Sequence, residues 1–372
     1  MISGLKTRTL LGLLALLVSD ANSVVCPYYE ECIRMDECLT LMPYLAGTRE
    51  RSSEVMNMLR RRTCYFNPWA SNGPLVHRWF VCCPLPGDIL PNTDICGQRP
   101  STDRVIGGKE APINGYPWLA VLLYRNNETH ELFKQPGSLC IGSLINNRYV
   151  LTAAHCVIGE NIKKHKLDLV GVRLGEHDLS TNPDCQKGAN GKRHCVSPHL
   201  DIHLEEIIIH KYYATEDGKH YNDIALLRLL LPVTYTKEIQ PICIQPSPRN
   251  SNRFFVDQPL DIAGWGKSGS DTSKNILLQS TIFGMDPHNC SDRYPILGIN
   301  IWTHLCAATH DGTDTCQGDS GSPLMATVGR GFEEYTYLAG ISSYGSTICG
   351  IGPSVYTRTD NYIDWIKYHI RQ

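Results

Sequence analysis

An excess of charge of one sign is missing from this chain. Its 372 residues carry 35 lysines and arginines against 37 aspartates and glutamates, a formal net charge of −2. That balance leaves no electrostatic footprint for nucleic acid or for an anionic membrane surface. Long apolar runs are missing too. The run at residues 10–18 is too short to span a bilayer, and no later stretch is long and apolar enough. Cys-x-x-Cys pairs do not occur, which argues against a zinc-ribbon reading of the cysteines. Nothing resembles an EF-hand loop.

What the chain has in quantity is cysteine. Sixteen is a large and even count, and in an oxidising compartment it reads as disulfides. The start of the chain agrees with such a compartment. Lys6 and Arg8 precede the apolar run, and Ala21-Asn22-Ser23 follow as a small-residue cleavage site. This pattern predicts a secretory signal peptide cut after Ser23 and a soluble extracellular protein. Asn127-Glu128-Thr129 and Asn289-Cys290-Ser291 are glycosylation sequons, the second weakened by a cysteine expected to be bridged.

Three stretches carry chemistry. Residues 314–323 contain Gly318-Asp319-Ser320-Gly321. Serine is a weak nucleophile at neutral pH and needs a base and a stabilised oxyanion. The N–H groups of Gly318 and Ser320 could supply the oxyanion site. Alone, such a tetrapeptide also suits a surface turn. Residues 150–156 are an apolar strand delivering His155 beside Cys156, and residues 222–228 place Asp223 at the mouth of another. A lone buried histidine is more often a core residue. The chain order His155, Asp223, Ser320, each in its own motif, favours a Ser-His-Asp arrangement.

With those motifs in view, residues 105–372 resemble a trypsin-like serine protease of chymotrypsin fold. The matching pieces are Val105-Ile106-Gly107-Gly108, Leu151-Thr152-Ala153-Ala154-His155-Cys156, Asn222-Asp223-Ile224-Ala225-Leu226-Leu227, Gly264-Trp265-Gly266 and Gly318-Asp319-Ser320-Gly321. Short apolar strands at residues 118–124, 139–145, 149–153, 169–174, 224–229 and 260–263 alternate with polar turns and indicate an all-β protein. The resemblance sharpens this to two six-stranded antiparallel β-barrels. Residues 362–370 place Ile363, Ile366 and Ile370 on one face of a C-terminal helix.

Residues 24–83 hold Cys26, Cys32, Cys38, Cys64, Cys82 and Cys83. Such a segment reads as a small stapled module, and six cysteines admit fifteen pairings. The adjacent Cys82 and Cys83 resemble the clip domain that precedes arthropod trypsin-like proteases, which implies Cys26–Cys82, Cys32–Cys64 and Cys38–Cys83. The module is either a passive spacer or a docking surface for a cascade partner. The expected organisation is thus signal peptide 1–23, clip domain 24–83, linker and activation segment 84–104, and protease domain 105–372. In the linker, Pro84, Pro86, Gly87, Pro91, Gly97 and Pro100 disfavour regular structure.

The resemblance extends to the remaining cysteines: Cys96–Cys243 tying linker to catalytic domain, Cys140–Cys156, Cys185–Cys195, Cys290–Cys306 and Cys316–Cys349. It implies activation by a cut after Arg104, whose new Val105 ammonium pairs with Asp319. It makes Asp314 the floor of a specificity pocket for arginine or lysine, with Ser343, Gly345 and Ser354 also contacting substrate. The loop from Glu176 to Cys185 resembles a calcium loop, with carboxylates from Glu176, Asp178 and Asp184 and a carbonyl from Thr181. A solvated acidic loop is the equal alternative. No cofactor is expected for catalysis.

Three positions depart from the family pattern. Ser322 stands where a glycine is expected, and a positive φ there would cost roughly 1–2 kcal/mol. Ile141 replaces a glycine after Cys140, and Ser354 replaces a glycine that lines the pocket. The reading is a secreted endopeptidase zymogen of a haemolymph-like fluid. Its expected partners are a pro-protein substrate, an upstream activating protease and a serpin inhibitor, within Toll signalling or melanisation through prophenoloxidase. A non-catalytic clip homologue acting as a binding cofactor is the alternative. A digestive trypsin is a third reading, disfavoured by the front module.

Overall fold

A computed structural model describes residues 25–27, 30–41, 53–68, 78–99, 109–133, 139–187, 191, 193–244, 255–266, 275–293, 295, 298–309, 320–329, 334–345 and 352–371. The chain divides into two compact units, the first built mainly on residues up to Gly87, the second on Asp88–Leu230 and Tyr235–Ile370.

The first unit is a three-stranded antiparallel sheet with Trp79–Cys83 between Glu31–Arg34 and Thr63–Phe66. Successive residues of a strand point to opposite faces, so neighbouring Cys82 and Cys83 staple different partners. Cys82 bonds Cys26, Cys83 bonds Cys38, and Cys32 bonds Cys64. The helix Ser53–Arg62 ends on Arg60, Arg61 and Arg62, cations that suit the negative end of its dipole. It contributes Val55, Met58 and Leu59 to a small core with Met35, Leu41, Trp79 and Val81. Arg62 is buried and holds buried Glu30 at 2.9 Å.

The second unit contains both barrels. The first comprises β1 (Leu119–Asn126), β2 (Ile141–Leu144), β3 (Tyr149–Thr152), β4 (Leu167–Leu174), β5 (Leu200–Ile209) and β6 (Ala225–Leu229). They close in the order β5-β6-β3-β2-β1-β4. Strands β2, β3 and β6 are buried at every position. Both of their faces are covered, so even their polar residues Ser143, Thr152 and Arg228 are buried. The edge of the pattern shows in β4, where exposed Asp168 lies between buried Leu167 and Leu169.

The second barrel comprises β7 (Pro259–Gly264), β8 (Leu278–Met285), β9 (His304–Ala308), β10 (Pro323–Val328), β11 (Tyr335–Gly345) and β12 (Ser354–Arg358). Their order is β7-β10-β11-β12-β9-β8, closed by pairing of β7 with β8, and Lys109–Glu110 adds a short strand outside β8. Leu260, Ile262, Ile282, Leu305, Leu324, Tyr337 and Tyr356 fill its core. A 3-10 turn, Thr359–Tyr362, leads into the C-terminal helix Ile363–His369, which buries Ile363 and Ile366 and is followed by buried Ile370. Among the described residues no helix is long and apolar enough to cross a membrane.

The linker differs from a loose tether. Residues 88–99 form no strand or long helix, yet they belong to the second unit. Cys96 is bonded to Cys243. The Gly97 N–H donates to the Pro241 carbonyl at 2.8 Å, and the Gly97 carbonyl accepts from Thr336 at 2.9 Å. With φ +67° and Thr336 O only 2.2 Å from where a Cβ would stand, position 97 admits only glycine without displacement. Arg99 then places Nη2 2.6 Å from Asp261 Oδ2, both side chains 7 % exposed. Its guanidinium also lies 5.1 Å over the Tyr116 ring. Backbone satisfaction and a buried ion pair replace regular secondary structure here.

Candidate active site

His155 opens a short helix, His155–Ile158, that follows β3 through buried Ala153 and Ala154. Asp223 precedes β6 and is 0 % exposed. Because β3 and β6 pair antiparallel, with Thr152 opposite Ala225, their ends bring the two residues together. Asp223 Oδ2 lies 2.7 Å from His155 Nδ1, and Oδ1 accepts the His155 backbone N–H at 2.9 Å. The Ser343 hydroxyl donates to Oδ2 as well, and the Thr357 hydroxyl donates to the Asp223 carbonyl at 2.9 Å. Burial alone would raise this carboxyl, but His155, His220 and the Ser343 hydroxyl hold it below its ordinary value. An ionised, oriented carboxylate is what fixes an imidazole with its Nδ1–H inward and Nε2 free to take a proton.

Ser320 is anchored between the barrels. Its carbonyl accepts the Ile141 N–H at 2.8 Å, and the next N–H, of Gly321, donates to the Ser342 carbonyl at 2.9 Å. Gly321 has φ +77°, and a Cβ on it would stand 2.4 Å from Ile141 O, 2.4 Å from Thr152 Oγ1 and 3.2 Å from Cys156 Sγ. That close approach seats the serine segment on the Cys140–Cys156 disulfide, next to His155. Thr152 donates from Oγ1 to the Ile141 carbonyl at 2.7 Å, bracing the same point from β3.

Two of the departures are thereby accommodated. Ser322 is 2 % exposed and is absent from the described non-glycine residues with positive φ, so the expected backbone penalty does not arise. Its carbonyl accepts the Ser342 N–H at 2.9 Å. Ile141 is fully buried in β2. Ser354 lies opposite Gly345 across β11 and β12, and its Oγ would be 3.1 Å from a Cβ at Gly345. The hydroxyl thus lies against the backbone at Gly345. Ser343, expected beside the substrate backbone, has its hydroxyl committed to Asp223.

Arg104, Val105, Asp314, Cys316, Gly318, Asp319 and Cys349 lie outside the described residues. Cys185–Cys195 and Cys290–Cys306 are bonded. Asn127 and Asn289 are both exposed, while Cys290 is buried.

The acidic loop is rearranged relative to the sequence reading. Asp184 accepts through Oδ2 from the His177 N–H (2.7 Å) and the Asp178 N–H (3.0 Å), and through Oδ1 from the Thr181 hydroxyl (2.7 Å). Glu176 is buried against Asp184, and burial first, then that second carboxylate, pushes its pKa up to about 8. Arg173 Nη1 also reaches Glu176, at 3.2 Å. Asp178 turns away and caps Ser180, whose N–H and hydroxyl both donate to its Oδ1. The donor chemistry of Glu176 and Asp184 therefore fits a hard cation. Asp178 does not join them, and Thr181 engages through its hydroxyl.

Two residues of the site carry no motif. His220 lies on the hairpin strand Lys219–Tyr221, and its ring stacks on His155 with centroids 5.0 Å apart. His304, fully buried at the start of β9, approaches the His220 carbonyl with Nε2 at 3.0 Å and accepts the Asn300 N–H at Nδ1, also at 3.0 Å. The only local signal was His220 standing three residues before Asp223.

Two closed antiparallel barrels with a buried aspartate behind a histidine, and a serine loop pinned beside them, define a serine protease of chymotrypsin fold. The chain belongs to the Trypsin family, whose profile matches residues 105–366, and to its arthropod clip-domain branch. It is 35 % identical to the Spaetzle-processing enzyme of Drosophila melanogaster over 91 % of this chain and 88 % of that one. It is 39 % identical to Melanization protease 1 of the same organism, over 76 % and 69 % respectively. The crystal structure of the Drosophila Grass clip serine protease of the Toll pathway superposes with a TM-score of 0.60 at 29 % identity, covering 91 % of this chain and 93 % of Grass.

Proposed function

We propose that this chain is a secreted endopeptidase zymogen that, once cut after Arg104, cleaves pro-proteins after arginine or lysine in an extracellular cascade. The observation that carries it is the buried Asp223 held by His155 Nδ1, the His155 N–H and the Ser343 hydroxyl. In this reading Ser320 attacks the scissile carbonyl, His155 takes its proton at Nε2 and returns it to the leaving amine, and Asp223 stabilises the imidazolium. The N–H groups of Gly318 and Ser320 hold the oxyanion, each such donor contributing about 3–4 kcal/mol. The Val105 ammonium pairs with Asp319 to order that site after the cut. Asp314 selects the basic side chain, and the Ser354 hydroxyl narrows the pocket above it.

The relatives named for Spaetzle processing, melanisation and the Toll pathway support an immune cascade; an upstream protease as activator and a serpin as inhibitor complete the reading. The leader at residues 1–23 supports secretion, and exposed Asn127 is the better glycan acceptor. Glu176 and Asp184 would hold a structural calcium ion, whose charge would offset the repulsion between the two carboxylates. Calcium should then raise the melting temperature of the chain, and Glu176→Gln should abolish the rise. A melting temperature indifferent to calcium would remove the ion from this reading.

Cleavage after Arg104 followed by an arginyl chromogenic substrate tests the peptidase. Turnover absent from Ser320→Ala is expected. No turnover, with wild type and Ser320→Ala alike, would make the chain a non-catalytic clip homologue.

A further inference from the structure

The catalytic histidine has a neighbour that the peptidase mechanism does not use. The His155 and His220 rings lie face to face, 17° from parallel. Each is tied at Nδ1: His155 to Asp223 at 2.7 Å, His220 to the Tyr213 hydroxyl at 3.3 Å. Among the described residues, the Nε2 of His155 meets only Cys156 Sγ, at 3.8 Å, and no hydrogen bond is made to the Nε2 of His220. That sulfur is in a disulfide and is no competitor for a metal. One nitrogen of each ring and one oxygen of Asp223 all lie within 4.8 Å of one another.

His220 is held as firmly as a ligand needs to be. Tyr213 stacks near its ring with centroids 6.1 Å apart and 19° between planes. Its backbone carbonyl is engaged by buried His304. Histidines that bind metals through one nitrogen characteristically donate from the other to a carboxylate or similar oxygen, which fixes the ring. Both rings here have that outer partner in place.

We infer that His155 and His220 form a binding site for a divalent transition-metal ion of the zinc class. The ion sits between the two Nε2 atoms, water completes its coordination, and Asp223 serves as the outer partner of His155. Imidazole suits zinc, and Zn–N distances of about 2.0–2.1 Å ask for nitrogens about 3.3 Å apart in a tetrahedral site. The near-parallel stack must open by rotation of one ring. The His155 ring, 14 % exposed, would tilt toward the ion with its Nδ1–Asp223 contact kept. Bound there, the ion occupies the lone pair that would receive the Ser320 proton and acts as a reversible inhibitor. That last consequence rests on the peptidase reading; the binding does not.

The test separates the two. Zinc uptake by the full chain carrying Ser320→Ala is measured by competition with a chromophoric chelator. His220→Gln and His155→Gln, added singly, should each weaken the tight site by at least ~10-fold. Equal uptake by parent and both variants overturns the site. Because a variant may misfold, the unsubstituted chain is also treated with diethyl pyrocarbonate with and without zinc, and modification is read by peptide mass spectrometry. Protection of His155 and His220 together is expected, and protection of neither overturns the site without recourse to variants. In the cleaved enzyme, zinc should abolish turnover of an arginyl chromogenic substrate and EDTA should restore it. Zinc that binds at these histidines yet leaves turnover intact would overturn the inhibitory role alone. An enzyme with no turnover at all refutes the peptidase reading, while the chelator and protection measurements still decide the site.

Discussion

The front unit and the catalytic unit are stabilised by different means. In the front unit the described apolar core amounts to a few side chains around Trp79, crossed by three disulfides. A domain this small buries too little surface to offset its chain entropy, so covalent staples carry much of its stability. The catalytic unit closes two barrels around continuous apolar interiors. Both units nonetheless hold buried charge: Arg62 with Glu30 in the front unit, and Asp223 and Arg99 with Asp261 in the catalytic unit. The lesson is that a buried ion pair can be held in place either by disulfides crossing a thin core or by a continuous apolar interior.

Breaking the catalytic charge should give the largest effect. Asp223→Asn in the cleaved enzyme should lower kcat/KM about 10⁴-fold, since the amide favours the wrong imidazole tautomer. Activity within tenfold of wild type would show that the buried carboxylate is not what the catalytic core is built to hold. Next comes the linker ion pair. Arg99→Met leaves Asp261 buried beside Tyr116 and Thr281 without its guanidinium, which should destabilise the catalytic unit by roughly 3–5 kcal/mol in urea titration. A loss near zero would mean the linker is only laid on the barrel.

Removing a staple tests the other side of the comparison. Cys32→Ala with Cys64→Ala should cost the front unit about 2–4 kcal/mol and expose it to limited proteolysis. The catalytic unit's unfolding midpoint should stay put; a joint collapse would break the distinction between the units. The smallest effect is expected with pH. His210 packs against the Tyr212, Tyr362 and Trp365 rings. Burial first, then His369 and Lys211, hold its pKa below the ordinary histidine value. The folded chain therefore binds this proton less tightly than the unfolded one. Its contribution is complete above about pH 6.5 and is lost as pH falls through the lowered value. Melting curves between pH 7.5 and 5 should flatten slightly in His210→Phe, with solvent screening keeping the change small.

How far the site could be read from the chain depended on where each partner lies. His155 and Asp223 each stand at the end of an apolar strand, so local pattern marked them. Ser343 reaches Asp223 across 120 residues, and His304 reaches the His220 carbonyl across 84. Both contacts exist only because of strand register in the barrels, which no local pattern encodes. The same holds for Arg99, whose partner Asp261 is 162 residues away. In the linker, proline and glycine spoke against regular structure, and none formed among its described residues, but they carried no information about docking. Family pattern raised an alarm at Ser322 that backbone geometry removed.

The amino-acid order alone determined the β class, the strand positions, the helix at the end and the identity of the His155, Asp223 and Ser320 motifs. Those rest on period, turn chemistry and local motif, which act over a few residues. Only the folded chain decided which hydroxyl sits on Asp223, that the Asp178 carboxylate caps Ser180, and that the His155 and His220 imidazoles stack. Those outcomes depend on how distant strands register and where loops close, and that is settled by packing.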